Sequence, residues 1–178
     1  MSASSLYSRI LGASYERLSP ILKSIHDTRA TKCYVGRCDI RSGTSLIAKI
    51  IARFAGLPIA KNDVPVEVTI LSEGHGEGWT RMFGTQRMQS RLMDSNRRLQ
   101  ERLGPIVLTF ELAAEAERIV WSLQAARLAL IPVPISWLLM CAATESVENG
   151  RYCFDVSARV RGIGLIVHYQ GWLVERES

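Results

Sequence analysis

A strict alternation of apolar and polar residues near the C-terminus constrains the fold of this chain more than any other feature. Side chains of a β-strand point alternately to its two faces, so an alternating sequence buries one face and leaves the other in water. Residues 151–160 follow this pattern, and residues 165–169 repeat it after two glycines. The apolar set is Tyr152, Phe154, Val156, Ala158, Val160, Leu165, Val167 and Tyr169.

Similar short segments occupy most of the chain after Pro65. Alternation predicts strands within 66–70, 79–83, 88–92 and 98–103, with turns rich in Gly, Asp and Asn between them. Residues 106–130 would suit one helix by composition, but their alternation favours two strands joined at "AAEAE". A proline-marked connection with one helical turn near Trp137 then leads to a strand that ends at the Asn149–Gly150 turn.

Helical spacing is clearest in "TSLIAKIIARFAGLP", residues 44–58. Leu46, Ile47, Ile50, Ile51 and Phe54 recur on one face, whereas Lys49 and Arg53 fall on the other. A shorter helix is predicted within 18–30, where Ser19 and Pro20 suit its start and His26 lies on its packed face. A strand is predicted between the two, at 31–43.

These elements predict a mainly β fold of the α+β class. Nine or ten short strands joined by turns form an antiparallel meander, and a sheet that long curls into a half-barrel or barrel. We expect the amphipathic helix to cover the concave side and a cavity to lie beneath it. Residues 1–17 are expected to form an N-terminal arm and residues 18–178 a single curled-sheet domain.

Net charge and hydropathy limit the partners. The chain carries a net charge of +5 with 18 Arg and 4 Lys, which fits either an anionic partner or arginines on solvent-facing strand surfaces. Its longest apolar run, residues 129–143, contains two prolines and is shorter than the ~20 residues of a membrane-spanning helix. We therefore expect no integral membrane segment and a cytoplasmic location.

The four cysteines are expected to be buried free thiols. Cys33 and Cys38 are five positions apart on a predicted strand, so they point to opposite faces and neither pair with each other nor share a metal. No metal site is predicted.

Four segments together resemble a known family: "GEGWTRMFGTQRMQSRL", "LQERLGPIVLTFEL", "RYCFDVSARVRGIGLIVHYQGWLV" and the helix ending "FAGLP". They resemble the bacterial domain-of-unknown-function family forty-one sixty-six from about Pro20 to Glu175. The resemblance implies a stand-alone form of a domain that other members carry behind NAD(P)-dependent reductase-like domains. It implies no cofactor and no catalytic assignment. Met82, where the family tends to be basic, and Leu103, where it is usually aromatic, depart from the pattern.

Candidate site residues come from the family-like polar and aromatic positions and from the strand pattern. The candidate catalytic residues are Glu101, Glu145, Asp155 and Tyr169. The candidate ligand-binding residues are Trp79, Arg81, Phe83, Ser90, Trp121 and Trp172. The carboxylates suit acid–base chemistry if their environments separate their pKa values, but each can equally pair with an arginine. Tyr169 is expected inside, as a proton donor or a core residue.

Other chemistries lack their motifs. The sequence contains no catalytic triad order, no HExxH and no phosphate loop, and Gly162 and Gly164 precede a strand where a dinucleotide site needs a helix. Six arginines between Arg81 and Arg102 could track a nucleic acid, but the aromatics among them share a face with apolar residues. No nucleic-acid partner is predicted.

The sequence thus predicts a protein that binds an apolar small molecule in a pocket of a curled sheet. Catalysis of a rearrangement or cyclisation without a cofactor is an extension of this hypothesis, and the sequence leaves open whether the protein is an enzyme. The alternative is a non-catalytic accessory domain that acts beside a reductase partner.

Overall fold

The computed structural model describes residues 5–27 and 31–176, without the side chains of residues 139 and 140. Eleven β-strands dominate this part of the chain. They are β1 (Lys32–Ser42), β2 (Lys61–Glu73), β3 (Gly76–Phe83), β4 (Gln86–Asp94), β5 (Leu99–Leu103), β6 (Ile106–Glu115), β7 (Arg118–Leu128), β8 (Ile131–Val133), β9 (Leu138–Glu148), β10 (Arg151–Val160) and β11 (Gly164–Glu175).

Ten of these strands close into an antiparallel barrel. The sheet order is β6-β5-β4-β3-β2-β1-β11-β10-β9-β7, and pairing of β6 with β7 joins its two ends. The short strand β8 pairs with β7 outside this ring. The predicted mainly β, curled antiparallel fold is confirmed, and closure removes the free edges that an open sheet would expose.

The predicted alternation sets which side chains fill the barrel. Tyr169 of β11 lies opposite Ile40 of β1 and Val156 of β10, so all three share the inner face. Residues 106–130 form two strands with their turn at residues 116–117, and Ile135–Trp137 form a single 3-10 turn. Both predictions are confirmed.

Three short helices fill one end of the barrel, which we call the closed end. They are α1 (Leu6–Leu11), α2 (Ala13–Glu16) and α3 (Pro20–His26). The Ser5 hydroxyl accepts a hydrogen bond from Ser8 N at 3.2 Å and caps α1, and Ser19 N donates to Ala116 O at 2.7 Å. Eight apolar side chains of the helices and their junctions are buried: Leu6, Tyr7, Ile10, Leu11, Tyr15, Leu18, Leu22 and Ile25. Residues 1–4 of the predicted arm and residues 28–30 of the predicted helix lie outside the described part.

The amphipathic helix α4 (Leu46–Phe54) lies at the opposite end, which we call the α4 end. Ser45 caps it by accepting from Ala48 N at 3.2 Å, as expected of the sequence. Ala48 is buried, and Ile51 and Ala55 line the space below. Four larger apolar residues, however, are exposed: Leu46, Ile47, Ile50 and Phe54. The helix thus covers the barrel with Ala48 and Ile51 and turns these four larger residues outward.

Candidate functional site

An apolar cavity of about 170 Å³ lies inside the barrel below α4. Side chains from nine of the ten barrel strands, all except β1, line it, together with Ile51 and Ala55 of α4 and Leu57 after the helix. Among the described lining residues, charge comes from Arg81, Glu101 and Glu145. The lining is otherwise mostly aliphatic and aromatic, which is the composition of small-molecule pockets in proteins.

Arg81 forms the centre of one polar cluster on the cavity wall. Its Nη1 donates to Ser90 Oγ at 2.8 Å, and its Nη2 lies 3.5 Å from Glu101 Oε1. The guanidinium also lies over the Trp79 ring, 4.8 Å from the centroid. β3 and β4 bring these groups together because Trp79 pairs with Ser90, and both face inward. A buried guanidinium held in this way still presents a fixed positive charge to a ligand oxygen.

Glu145 forms the centre of a second cluster, where the cavity meets the closed end. His26 Nε2 lies 2.6 Å from Glu145 Oε2, and Tyr7 Oη donates to Glu145 Oε1 at 3.3 Å. The Tyr7 and His26 rings stack with their centroids 3.5 Å apart. All three side chains are buried. The N-terminal helices therefore supply the hydrogen-bonding partners of a carboxylate of the barrel interior.

Burial keeps the phenols and thiols of this interior protonated. Desolvation, followed by the charge of Glu145, holds the pKa of Tyr7 and of Tyr152 well above the ordinary phenol value. Desolvation likewise raises the pKa of Tyr169, with the Arg81 charge opposing it. The pKa of the Cys141 thiol rises to about 12 for the same leading reason. Near neutral pH these groups can donate hydrogen bonds but cannot act as bases.

One polar atom of the lining has no protein partner. The indole nitrogen Nε1 of Trp121 is buried and has no hydrogen-bond acceptor among the described residues. Trp121 lines the cavity and packs edge-on against Phe110, with ring centroids 5.5 Å apart. A buried N–H without an acceptor costs about 1–3 kcal/mol. This donor is therefore a place where a ligand oxygen would gain a strong contact.

The structure brings most of the candidate residues together. Ser90 does not line the cavity, but its hydroxyl accepts a hydrogen bond from Arg81. Asp155 and Trp172 lie on the outer face of the barrel. There Asp155 is 3.1 Å from His168, and Arg151 lies over Trp172 at 4.4 Å. Seven of the ten line the cavity: Trp79, Arg81, Phe83, Glu101, Trp121, Glu145 and Tyr169.

Four interior polar residues were not among the candidate site residues. Tyr7 and His26 complete the Glu145 cluster, Glu77 accepts from Trp79 Nε1 at 2.9 Å, and Tyr152 lines the cavity beside Glu145. Alternation had already put Tyr152 on the apolar face of its strand, and Glu77 lies in phase with Trp79 and Phe83, so the same pattern could have found it. Nothing in the sequence of the helices points to Glu145, which is 119 positions from His26.

The cysteines of the described part are unpaired. The four cysteines are free thiols, as predicted, but of the four only Cys38 is fully buried, whereas Cys33, Cys141 and Cys153 are half-buried. Within residues 5–27 and 31–176, no cluster of three or more His, Cys, Asp or Glu residues has a geometry for metal binding. Within the same ranges, every helix is too short or too polar to cross a bilayer.

Comparison with known proteins identifies the family and supports the fold. The model of a family described as a domain of unknown function, DUF4166, matches residues 18–173. No curated protein is significantly similar to the chain. The crystal structure of Rv2717c from M. tuberculosis covers 90% of this chain and 99% of its own, with a TM-score of 0.50 and 13% sequence identity. At that identity the likeness extends to the fold alone.

Proposed function

The chain belongs to the DUF4166 family, and we propose that its barrel binds a compact, mostly apolar small molecule carrying one oxygen acceptor. The observation that carries this proposal is the cavity itself, an apolar space of about 170 Å³ in which a guanidinium and an unpaired indole N–H are the prominent donors. A core packed only for stability would fill such a space, because each void forfeits contacts on every side.

The cavity volume limits the size of the ligand. An engineered apolar cavity of about 150 Å³ in another protein stays dry and binds benzene. By that measure a cavity of about 170 Å³ accepts a body of one or two small rings. A longer molecule would have to displace α4, whose Ile51 and Ala55 form part of the lining.

Trp121 and Arg81 define the polar part of the ligand. Both offer N–H donors and neither offers an acceptor, so a carbonyl, carboxylate or ether oxygen is favoured over an amine. An amine gains less, because the two lining carboxylates, Glu101 and Glu145, already have Arg81 and His26 as partners. The ligand class is therefore a small apolar ring compound with a carbonyl or acid group.

Turnover in the same cavity is a narrower form of the proposal. Confinement in a reactive conformation can contribute roughly 7–11 kcal/mol without a nucleophile or a cofactor. Tyr169 remains protonated because its pKa is raised, so it would serve as a hydrogen-bond or proton donor during a rearrangement or cyclisation. Glu101 and Glu145 are each held by a basic partner and would act as charge stabilisers.

Native mass spectrometry of the purified protein tests binding directly. We expect a stoichiometric adduct, or uptake of one equivalent from a panel of small ring ketones and acids. Denaturation and analysis of the released compound would give its chemical class. A bare chain mass with no uptake from the panel would contradict the proposal and favour the accessory role beside a reductase.

Two pairs of variants separate specific binding in the cavity from nonspecific hydrophobic binding. Trp121→Phe removes the indole N–H in the cavity, whereas Trp172→Phe makes the same change on the outer face. We expect Trp121→Phe to bind the ligand about tenfold more weakly, since a lost hydrogen bond is worth about 1.4 kcal/mol, and Trp172→Phe to bind it as tightly as the unchanged protein.

Ala143→Leu fills the cavity from the buried inner face of β9, and Ala125→Leu adds the same atoms at an exposed position. Equal effects within either pair would contradict the proposed site.

A further inference from the structure

The α4 end carries an exposed apolar surface that the barrel interior does not use. On α4 and the loop after it, Leu46 and Ile59 are each 73% exposed, and Leu130 beyond β7 is 93% exposed. Large apolar side chains rarely remain so accessible in a contiguous group unless they meet another surface. Ten of them lie at this end: Leu46, Ile47, Ile50, Phe54, Ile59, Leu128, Leu130, Ile131, Ile135 and Trp137.

Contacts between loops show that these residues share one end of the barrel. The turn at Gly104 approaches Phe54 O closely enough that an added Cβ would lie 3.2 Å from it. Ala129 N donates to Pro105 O at 2.7 Å, which ties the β7–β8 turn to the same place. Arg161 N donates to Trp137 O at 2.6 Å, which ties the β10–β11 turn to the segment before β9. The apolar residues therefore belong to one surface, which we call the α4 surface.

The charges around the α4 surface are all of one sign. Its segments are residues 43–62, 84–87, 102–107, 127–138 and 159–165, and they contain no Asp or Glu. The nearest carboxylates in sequence are engaged elsewhere: Asp63 with Arg37 and Glu101 with Arg81. Eight exposed cations lie in these segments: Lys49, Arg53, Lys61, Arg87, Arg102, Arg127, Arg159 and Arg161.

We propose that the α4 surface docks the protein on an anionic phospholipid bilayer. Exposed Leu, Ile, Phe and Trp side chains beside Lys and Arg, without carboxylates, match an interface of acyl chains below negative headgroups. A second copy of this chain fits poorly, because a two-fold contact would place two sets of eight cations together with no carboxylate to neutralise them. The docking concerns the outer surface and does not depend on any ligand in the cavity.

Vesicle flotation with the full chain tests this proposal. We expect the protein to float with vesicles of phosphatidylcholine and phosphatidylglycerol, and to remain unbound with phosphatidylcholine alone. Added salt should weaken binding, because it screens charges at the headgroup level. Equal binding to both vesicle types would overturn the anionic specificity. If the protein binds neither vesicle type, the proposal as a whole is overturned. A dimer in solution, or a protein that binds the α4 surface, would then be what covers it.

Charge-matched variants assign the docking to the α4 end. Phe54→Glu and Leu130→Glu should each weaken partitioning about tenfold or more, because each places a carboxylate in the acyl region. Leu71→Glu makes the same change at an exposed apolar residue of the closed end and should leave binding unchanged. Arg53→Glu should weaken binding at least about fivefold, and Arg98→Glu in the β4–β5 turn should not. Equal losses at both ends would overturn the assignment.

Trp137 gives a readout that does not depend on flotation. Its side chain is 59% exposed, so insertion among acyl chains should shift its fluorescence to shorter wavelength and expose it to brominated lipid. Trp137→Phe should abolish that signal while the protein still floats. An unchanged Trp137 environment on bound vesicles would overturn the proposed orientation.

Discussion

The two ends of the barrel solve the problem of an open apolar interior in opposite ways. At the closed end, three short helices bury their large apolar side chains, and Tyr7 and His26 reach inward to Glu145. At the α4 end, one better-formed helix covers the opening with Ala48, Ile51 and Ala55 and exposes its larger residues. Two helical caps on one barrel can therefore differ in purpose, one completing the core and the other presenting a surface.

The difference extends to charge. Turns at the closed end mix both signs, as in the Arg91–Glu73 pair at 2.7 Å and the Lys23–Glu16 pair at 3.4 Å. The segments of the α4 end hold cations alone. The net charge of +5 is thus concentrated at one end of the molecule, which gives it an orientation in the field of a charged surface.

The largest expected effect comes from the buried pair at the closed end. His26→Leu should lower the free energy of unfolding by about 3–5 kcal/mol, because it leaves the Glu145 carboxylate buried beside Tyr7 without its closest partner. Urea unfolding followed by circular dichroism measures this loss. At the α4 end, Leu46→Ala should change the same quantity by less than about 0.5 kcal/mol.

A double variant separates the pair from its packing. His26→Leu combined with Glu145→Leu removes both polar groups and should recover much of the stability lost by the single change. If the double variant is as unstable as His26→Leu alone, packing rather than charge holds this end, and the contrast between the ends would concern shape alone.

The next largest effect should be a loss of folding stability at alkaline pH, which arises chiefly from the closed end. Four of the five tyrosines, Tyr7, Tyr15, Tyr34 and Tyr152, lie there, and burial raises the pKa of each above its ordinary value near 10. Below about pH 10 both the folded and unfolded states keep these protons, so stability is fully present. Above it the unfolded state loses protons that the folded state retains, and stability falls until the pH passes the folded-state pKa values.

The slope of this loss is measurable. Each strongly shifted tyrosine contributes up to about 1.4 kcal/mol per pH unit. Urea midpoints should fall between about pH 10 and pH 12, and Tyr152→Phe should flatten the curve by one such contribution. The Cys141 thiol, with its pKa raised to about 12, adds a loss of the same sign. A midpoint that rises with pH in this range would contradict the buried, protonated phenols of the closed end.

Alternation along the strands was enough to predict Tyr169 inside the barrel and to put Trp79, Arg81 and Phe83 on one face of their strand, which the structure shows to be the inner face. It succeeds because strand geometry is local, and each residue's face follows from its neighbours. Closure of the ring and the filling of its end are not local. His26 meets Glu145 across 119 positions, and no pattern within α3 encodes that contact.

The helix α4 shows a second limit of sequence reasoning. Its spacing was correctly predicted to make an amphipathic helix, but the same pattern suits burial in a core and contact with a lipid surface. What decides between them is how much of the opening remains after other elements close, and here Ala48, Ile51 and Ala55 suffice. Asp155 and Trp172 were placed by resemblance, and the structure locates both on the outer face.

The smallest effect distinguishes the two caps by how each helix is coupled to the core. Ser5 caps α1 and Ser45 caps α4 by the same hydrogen bond, from the backbone N–H three residues on, at 3.2 Å in both cases. Either serine replaced by alanine should cost its own helix about 1 kcal/mol. Because α1 is buried, Ser5→Ala should lower global stability by most of that amount.

Ser45→Ala should instead fray α4 while the barrel remains folded, since this helix contributes few buried side chains. Amide hydrogen exchange should then quicken within Leu46–Phe54 with little change in the urea midpoint. If α4 is the docking element, anionic vesicles should restore the lost protection, because insertion orders an amphipathic helix at the interface. A global loss of stability equal to that of Ser5→Ala would mean that α4 is as much a part of the core as the closed end is, and the contrast between the ends would not hold.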